Sequence, residues 1–131
     1  MSIVFSDIEI DSMNFVNDKH DLKFEFYDTV GANRLIGTLT CTNIFSLKLD
    51  TNFDRDEESP FRCFMCDVRV VHLVEPQEIE LKFTELGYGY YDHSSLINED
   101  DGCYFVSFDG GQMDIKMLCG QVEIYKADDF I

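Results

Sequence analysis

Alternation of apolar and polar residues with a period of two runs through most of this chain and constrains its fold more than any other feature. The stretch LKFEFYD places Leu22, Phe24 and Phe26 on one side of an extended chain. Successive side chains of a β-strand point to opposite faces, so such a stretch buries one face and exposes the other. The same period recurs over residues 35–49. The pattern therefore predicts an all-β domain.

Residues 35–49 are too long for one straight strand of a small domain, because a fully extended segment of that length spans roughly 50 Å. We expect a bend or a break in the strand near Cys41 to Asn43, and a β-bulge is one form that the bend can take. The next apolar stretch, FRCFMCDVRVVHLV, is predicted to run centrally in the sheet because both of its faces are apolar. The stretch EIELKF also alternates, which predicts a strand with Ile79, Leu81 and Phe83 inward.

The clearest hairpin signal lies near the end of the chain. Two apolar stretches, CYFVSFD and QMDIKMLC, flank residues 109–111, Asp-Gly-Gly, and glycine accepts the positive φ of a tight turn. The stretch QVEIYK is predicted as a final short strand, with a kink or turn at Gly120. No stretch longer than a turn shows a clear helical period. We therefore predict one domain, 1–131, that is a mostly antiparallel β-sandwich or flattened barrel of about seven to nine strands.

The inward positions of the predicted strands define the expected core. Each carries an apolar residue on the buried side of the alternating pattern. These positions are Phe24, Phe26, Leu39, Leu47, Val68, Val70, Leu81, Phe105, Ile115 and Ile124.

The chain is strongly acidic, with 26 acidic and 10 basic residues and a formal net charge of −16. The excess is spread along the chain rather than confined to a tail, so the folded surface itself is acidic. Phosphate binding needs clustered Lys and Arg, which argues against nucleic acid or an anionic membrane as a partner. A basic protein partner or a cation is favoured, and solubility alone is the alternative explanation of the charge.

The N-terminal residues MSIVFSDIEI lack the basic region and the long apolar run of a signal peptide. No apolar stretch approaches the ~20 residues of a membrane helix. The five cysteines, an odd number, fit a reducing compartment better than a disulfide framework. We therefore expect a cytoplasmic protein, whose oligomeric state the sequence does not specify.

The stretch DTNFDRDEESPF, residues 50–61, has the oxygen-rich spacing of a calcium loop. An EF-hand loop that began at Asp50 would need glycine at its sixth and glutamate at its twelfth position. This chain has Arg55 and Phe61 there, so the EF-hand interpretation fails. A solvated acidic loop is favoured, and a different calcium cage stays open as the alternative. Its ligands would be Asp50, Asn52, Asp54 and Asp56.

Cysteine and histidine patterns do not indicate catalysis or a cofactor. Cys63 and Cys66 have the spacing of zinc ligands, but residues three apart on a strand face opposite sides of the sheet. We predict that both thiols are reduced, metal-free and mostly buried. In the stretch DHSS, His93 precedes two serines, but a catalytic triad is defined by spatial geometry, and no G-x-S-x-G elbow is present. We therefore predict that the protein is not an enzyme and holds no cofactor.

The long irregular stretch LGYGYYDHSSLINEDDG, residues 86–102, is the predicted binding surface. Long loops in compact domains are often functional. Tyrosine offers a large contact area at low entropic cost, and nearby acids steer a basic partner. The alternative is that some of the tyrosines cap the sheet core. The predicted contact residues are Tyr88, Tyr90, Tyr91, Asp92, Glu99, Asp100 and Asp101. The acidic turn Asp54 to Glu58 is a candidate second contact. If the tyrosines belong to the core instead, we expect the partner on the polar strand face that carries Lys23, Glu25 and Tyr27.

Four stretches together resemble the strand pattern of small acidic all-β bacterial immunity proteins of polymorphic toxin systems. They are HDLKFEFYD, IGTLTCTNIFSLKLDTNFD, FMCDVRVV and DGGQMDIKMLCGQVEI. The similarity covers most of the chain, but it lies in the strand pattern and carries over no functional residue. The resemblance implies a protein that binds a cognate toxin domain and blocks it. The alternative function is a calcium- or small-ligand-binding β-sandwich module.

Overall fold

The computed structural model describes residues 2–16, 20–28, 35–51, 66–86, 102–109 and 113–127. This part of the chain forms six strands and one helix. They are β1 (Ser2–Val16), β2 (Asp21–Asp28), β3 (Leu35–Thr51), β4 (Cys66–Leu73), α1 (Pro76–Glu85), β5 (Cys103–Asp109) and β6 (Met113–Lys126). The predicted antiparallel β fold is confirmed, and it contains one helix that the all-β prediction did not include.

The strands form a closed barrel in the order β1-β2-β3-β6-β5-β4, and every ladder is antiparallel. Of the two predicted architectures, this order is that of a barrel. The longest ladder joins β3 and β6 and extends from Gly37 opposite Lys126 to Thr51 opposite Met113. The ladder between β1 and β4 closes the barrel and has two register shifts between Ser2 and Ile8. Neighbouring β5 and β6 also confirm the pairing predicted on either side of the Asp-Gly-Gly stretch.

Phenylalanine rings fill the barrel interior. The ring centroids of Phe24 and Phe108 lie 4.5 Å apart, and those of Phe5 and Phe26 lie 4.6 Å apart. Both contacts are tilted, which is a favourable arrangement of aromatic rings. Six predicted core residues are buried: Phe24, Phe26, Leu39, Val68, Phe105 and Ile115. Leu47 and Val70 are partly buried against the interior cluster.

The strand predicted for EIELKF is wrong, because these residues lie in α1. Ile79 and Phe83 are 4% and 1% exposed, whereas Leu81 is 59% exposed. In a helix, residues four apart share a face and the residue between them points elsewhere. Pro76 at the first helical turn favours this structure, since proline needs no amide partner there.

Helix α1 buries a second apolar cluster against the outer surface of the barrel. Its inner residues, Ile79 and Phe83, pack with Leu73 of β4, Phe105 of β5 and Leu118 of β6. The Lys82 ammonium lies 4.6 Å from the centroid of the Phe105 ring and also pairs with Glu85 at 3.2 Å on the helix surface. Phe105 was therefore correctly predicted to be buried, but it faces the helix rather than the barrel interior.

The irregularity predicted within β3 is confirmed. Asn43 has a positive φ of 58°, which Asn tolerates better than most residues because its short side chain fits the left-handed region. The backbone N–H of Asn43 donates a 2.9 Å hydrogen bond to the buried carboxylate of Asp21. Beside it, the register of β3 with β6 shifts between Ile44 and Ser46. The long strand therefore bends around the barrel without a break.

The separate final strand and a turn at Gly120 are wrong, because β6 runs without a break through Gly120 to Lys126. The other alternative at Gly120, a kink within the strand, stays a prediction. Ile124 was predicted to be buried, but it is 42% exposed. It lies opposite the buried Leu39 in the ladder, only two residues before β6 ends. At the rim of a barrel, an inward position keeps contact with solvent.

Candidate protein-binding surface

The predicted contact residues of the long loop, from Tyr88 to Asp101, lie outside the described residues and stay predictions. The structure does place the two ends of this loop. Leu86 and Cys103 belong to the same outer apolar cluster beneath α1. Between the loop and β5, Gly102 has a φ of +67°, and an added Cβ would lie 2.1 Å from the backbone oxygen of Leu73. Only glycine fits at position 102, so the start of β5 depends on this residue.

The calcium alternative is also largely outside the described residues, since Asn52, Asp54 and Asp56 all lie there. Asp50 is the last residue but one of β3 and pairs in the ladder with Asp114 of β6. Within the described ranges, no group of three or more His, Cys, Asp or Glu side chains could hold a metal ion. The acidic turn Asp54 to Glu58 is likewise not described.

Aspartates and basic residues form two adjoining rows on the outer surface of β3, β6, β5 and β4. Asp67 lies opposite Asp109, an unfavourable pairing of like charges. Arg69 pairs with Asp109, and the Lys116 ammonium lies 3.9 Å from a carboxylate oxygen of Asp114. Lys48 is the cross-strand neighbour of Lys116. The basic row therefore offsets the repulsion within the aspartate row.

A polar surface covers the outer faces of β2, β3 and β6 away from α1. On β2 and β3 its residues alternate with buried ones. On β6 they alternate with Val122 and Ile124, which lie opposite the buried Cys41 and Leu39, so the trough residues of all three strands point outward. We call it the threonine trough. It comprises Lys23, Glu25 and Tyr27 on β2, Thr38, Thr40 and Thr42 on β3, and Gln121, Glu123 and Tyr125 on β6.

The strand register sets the shape of the threonine trough. Thr38 lies between Glu25 and Tyr125, and Thr40 lies between Lys23 and Glu123. Threonine is shorter than all four of these neighbours, so β3 forms a floor and the side chains of β2 and β6 form two walls. Adjacent strands are roughly 4.8 Å apart, which places the walls about 10 Å apart.

The sequence had indicated only the β2 wall of this trough, with Lys23, Glu25 and Tyr27. The other two strands carry the same signal, because threonines occupy alternate positions of TLTCT and polar residues alternate in QVEIYK. The sequence alone does not indicate the register that pairs these three strands. Tyr125 is 56% exposed and lies on the β6 wall. The structure thus extends one predicted polar strand into a surface three strands wide.

Three cysteines that seemed isolated in the sequence come together in the structure. Cys41, Cys103 and Cys119 are free and buried. Burial, with a smaller contribution from nearby Cys119, raises the pKa of Cys103 to about 11. A hydrogen bond with Cys41 and burial raise the pKa of Cys119 still further. A thiol held neutral is a poor nucleophile and metal ligand, so Cys103 and Cys119 act as core side chains. Cys41 is buried as well.

Few of the other candidate residues for catalysis or metal binding lie within the described part of the chain. Cys63, His93, Ser94 and Ser95 lie outside the described residues, as does the side chain of Cys66 at the start of β4. In the described part of the chain, the His72 ring stacks on that of Tyr104, with centroids 4.5 Å apart. The two residues are opposite each other on β4 and β5. The contact is a cross-strand packing pair.

The fold and its surfaces define a small antiparallel β-barrel with one helix packed on its outside. Residues 3–126 match the model of a protein family described only as "-like", and the chain belongs to that family. A crystal structure of an uncharacterized protein from Neisseria gonorrhoeae has a similar fold, with a TM-score of 0.56 and 17% sequence identity over 94% of each chain. A comparison with curated proteins found no match. Among the described residues, no helix has the length and apolar character needed to cross a membrane.

Proposed function

We propose that this protein is a non-catalytic binding protein of the immunity type, which neutralises a cognate toxin domain with a basic surface. One observation supports this proposal most strongly. The chain combines a net charge of −16 with an outward polar sheet surface, the threonine trough, on the side of the barrel away from α1. The site of action in this proposal is the cytoplasm. The free cysteines at positions 41, 103 and 119 support that placement.

Charge provides the physical basis of the proposal. An acidic protein attracts a basic partner over several ångströms and speeds its association, and salt weakens the effect. A toxin that acts on nucleic acid needs basic residues to bind phosphate. An acidic inhibitor that occupies those residues would block access to the substrate without chemistry of its own.

Two surfaces are proposed to contribute. The long loop would supply a tyrosine-rich centre and an acidic rim through the predicted contact residues from Tyr88 to Asp101. The threonine trough would supply a more rigid surface, because β2 and β3 are paired on both sides there and the β6 wall is paired with β3. Interfaces typically combine a few aromatic anchors with a polar rim.

Co-expression with the product of the neighbouring gene tests the proposal. We expect the two proteins to co-purify as a complex, and the purified chain to abolish the partner's toxic activity at stoichiometric concentration. A second acidic protein of similar size and charge serves as the control, and it should neither bind nor inhibit. The proposal is wrong if the neighbouring product is not bound, or if the control inhibits it equally well.

The alternative function is a calcium-binding or small-ligand-binding β module. It is favoured by one observation, that Asp50 at the start of the acidic loop pairs with Asp114 in the β3–β6 ladder. Calcium bound there should raise the melting temperature through linkage, and magnesium should do so less. The variant Asp54→Asn should abolish the calcium effect. An unchanged melting temperature in excess calcium would eliminate this alternative.

A further inference from the structure

We propose that the threonine trough recognises arginine side chains on the surface of a basic partner protein. This inference rests on the proposed function and names the chemistry and the place of recognition. It depends on strand register, side-chain type and charge in β2, β3 and β6.

The first row of the trough can hold one guanidinium group. Glu25 and Tyr125 stand on opposite walls, with Thr38 on the floor between them. A carboxylate receives two parallel N–H donors from a guanidinium, and an aromatic ring stacks on its flat face. Walls about 10 Å apart leave room for a planar group between the two side chains. Lysine lacks the planar fork and gains less from such a site.

The second row adds a carboxylate on the other wall. Glu123 and Lys23 flank Thr40, so the acid of this row lies on β6 and that of the first row lies on β2. The two carboxylates are thus diagonal across the trough. A partner segment with two basic side chains can reach both acids, while Lys23 repels a cation placed beside it. The trough therefore has a preferred direction for its ligand.

Other outer surfaces in the described part of the chain expose different groups. Helix α1 and its N-cap expose four glutamates, Glu75, Glu78, Glu80 and Glu85, beside Lys82, so this helix attracts a basic partner by charge. Helix α1 covers the outer faces of β4, β5 and β6 around Phe105 and Leu118. Next to this cluster, Lys48, Lys116 and Arg69 form the basic row. This basic row adjoins the aspartate row and is paired with it in part, so charge alone does not select one surface. The threonine trough differs because it places an exposed aromatic ring, Tyr125, and a carboxylate, Glu25, on either side of one short residue, an arrangement that suits a guanidinium group.

A fluorescent peptide that alternates arginine and glycine, and its lysine counterpart, provide the probes. Chemical-shift mapping of backbone amides should place the arginine peptide on β2, β3 and β6. In fluorescence anisotropy, the arginine peptide should bind at least about threefold more tightly than the lysine peptide, as expected for guanidinium stacking on a ring. The preference should disappear in Tyr125→Ala, and Glu25→Gln should weaken binding of both peptides.

Matched variants separate this site from general attraction to an acidic protein. Lys23→Gln and Lys48→Gln each raise the net negative charge by one, but only Lys23 lies in the trough. We expect Lys23→Gln to strengthen arginine-peptide binding more than Lys48→Gln does. Circular dichroism confirms folding of each variant, and Tyr125→Thr, which keeps a strand-forming residue, replaces any Tyr125→Ala protein that fails to fold.

Two results would overturn the inference. One is equal binding of the arginine and lysine peptides by the wild-type protein. The other is chemical-shift changes outside β2, β3 and β6 that the trough variants leave unaltered. The wider proposal is tested separately with the co-expressed toxin domain. If Tyr125→Ala and Glu25→Gln neutralise that toxin as well as the wild type does, the immunity function stands and the arginine site is wrong.

Discussion

The packing of α1 can be tested by substitution at positions 81 and 83. A helix and a strand over this segment predict different losses of unfolding free energy at these two positions. Phe83 is 1% exposed within the outer cluster, and Leu81 is 59% exposed. Replacing a buried Phe by Ala costs about 3–5 kcal/mol, through lost burial and the cavity that remains. Leu81→Ala should change the free energy of unfolding by only about 0.5 kcal/mol, since the site is largely in solvent.

Urea denaturation followed by far-ultraviolet circular dichroism measures both changes. A domain of this size has a stability of roughly 5–15 kcal/mol, so Phe83→Ala should remain folded enough for a complete transition curve. A strand would place residues 81 and 83 on the same face and make their costs similar. Equal losses for Leu81→Ala and Phe83→Ala would therefore refute the helical packing described here.

Three further predictions concern the β3 bend, the buried thiols and the loop. Asp21→Ala removes the acceptor of the hydrogen bond from the Asn43 backbone N–H and should lower the free energy of unfolding, measured by urea denaturation, by about 1–3 kcal/mol. Asn43→Gly keeps that N–H and should be nearly neutral, because glycine accepts the positive φ. The raised pKa of Cys103, about 11 against an ordinary 9.0, means that the folded state keeps this proton longer than the unfolded chain does. The contribution of Cys103 to the free energy of unfolding should therefore be complete below pH 9 and decline between pH 9 and 11, by at most about 1.4 kcal/mol per pH unit. The Cys103→Ala variant should lack this decline. Identical profiles of unfolding free energy against pH for the wild type and the variant would contradict the prediction. Tyr90→Ala should weaken toxin binding by ~2 kcal/mol, mainly through faster dissociation in surface plasmon resonance, and a lowered melting temperature with normal binding would instead place this ring in the core.

Much of the fold follows from the alternating pattern. The positions of Phe24, Phe26 and Leu39 were predictable because a strand with one buried face must alternate. The bend near Asn43 was predictable from length alone, since a straight strand would outgrow the domain. These features depend on local sequence, so one chain is sufficient to derive them.

The helix was missed because EIELKF satisfies two periods at once. Ile79 and Phe83 are four residues apart and match a helical face, while Leu81 between them also completes a strand-like alternation. Pro76 before the segment and Gly87 after it are the helix start and stop signals that favour the helix. The apolar Leu81 on an exposed position supplied the misleading third residue.

The candidate surface was only partly predictable, since it depends on contacts between distant strands. Lys23, Glu25 and Tyr27 were recognised as a polar face, but Thr38 and Tyr125 join them only through the β2–β3 and β3–β6 registers. The same applies to the cysteines at positions 41, 103 and 119. Periodicity assigns a residue to a face of its own strand, and it does not identify the neighbours across the sheet.

The association rate constant of this protein with the purified toxin domain, measured by stopped flow across a range of salt concentrations, tests the central claim most directly. We expect fast association at low salt and a steep decrease in the association rate constant as salt rises, with a smaller change in the dissociation rate constant. Glu25→Gln combined with Glu123→Gln should slow association and reduce its salt dependence. An association rate that does not respond to salt or to these substitutions would contradict recognition of a basic partner by this acidic surface.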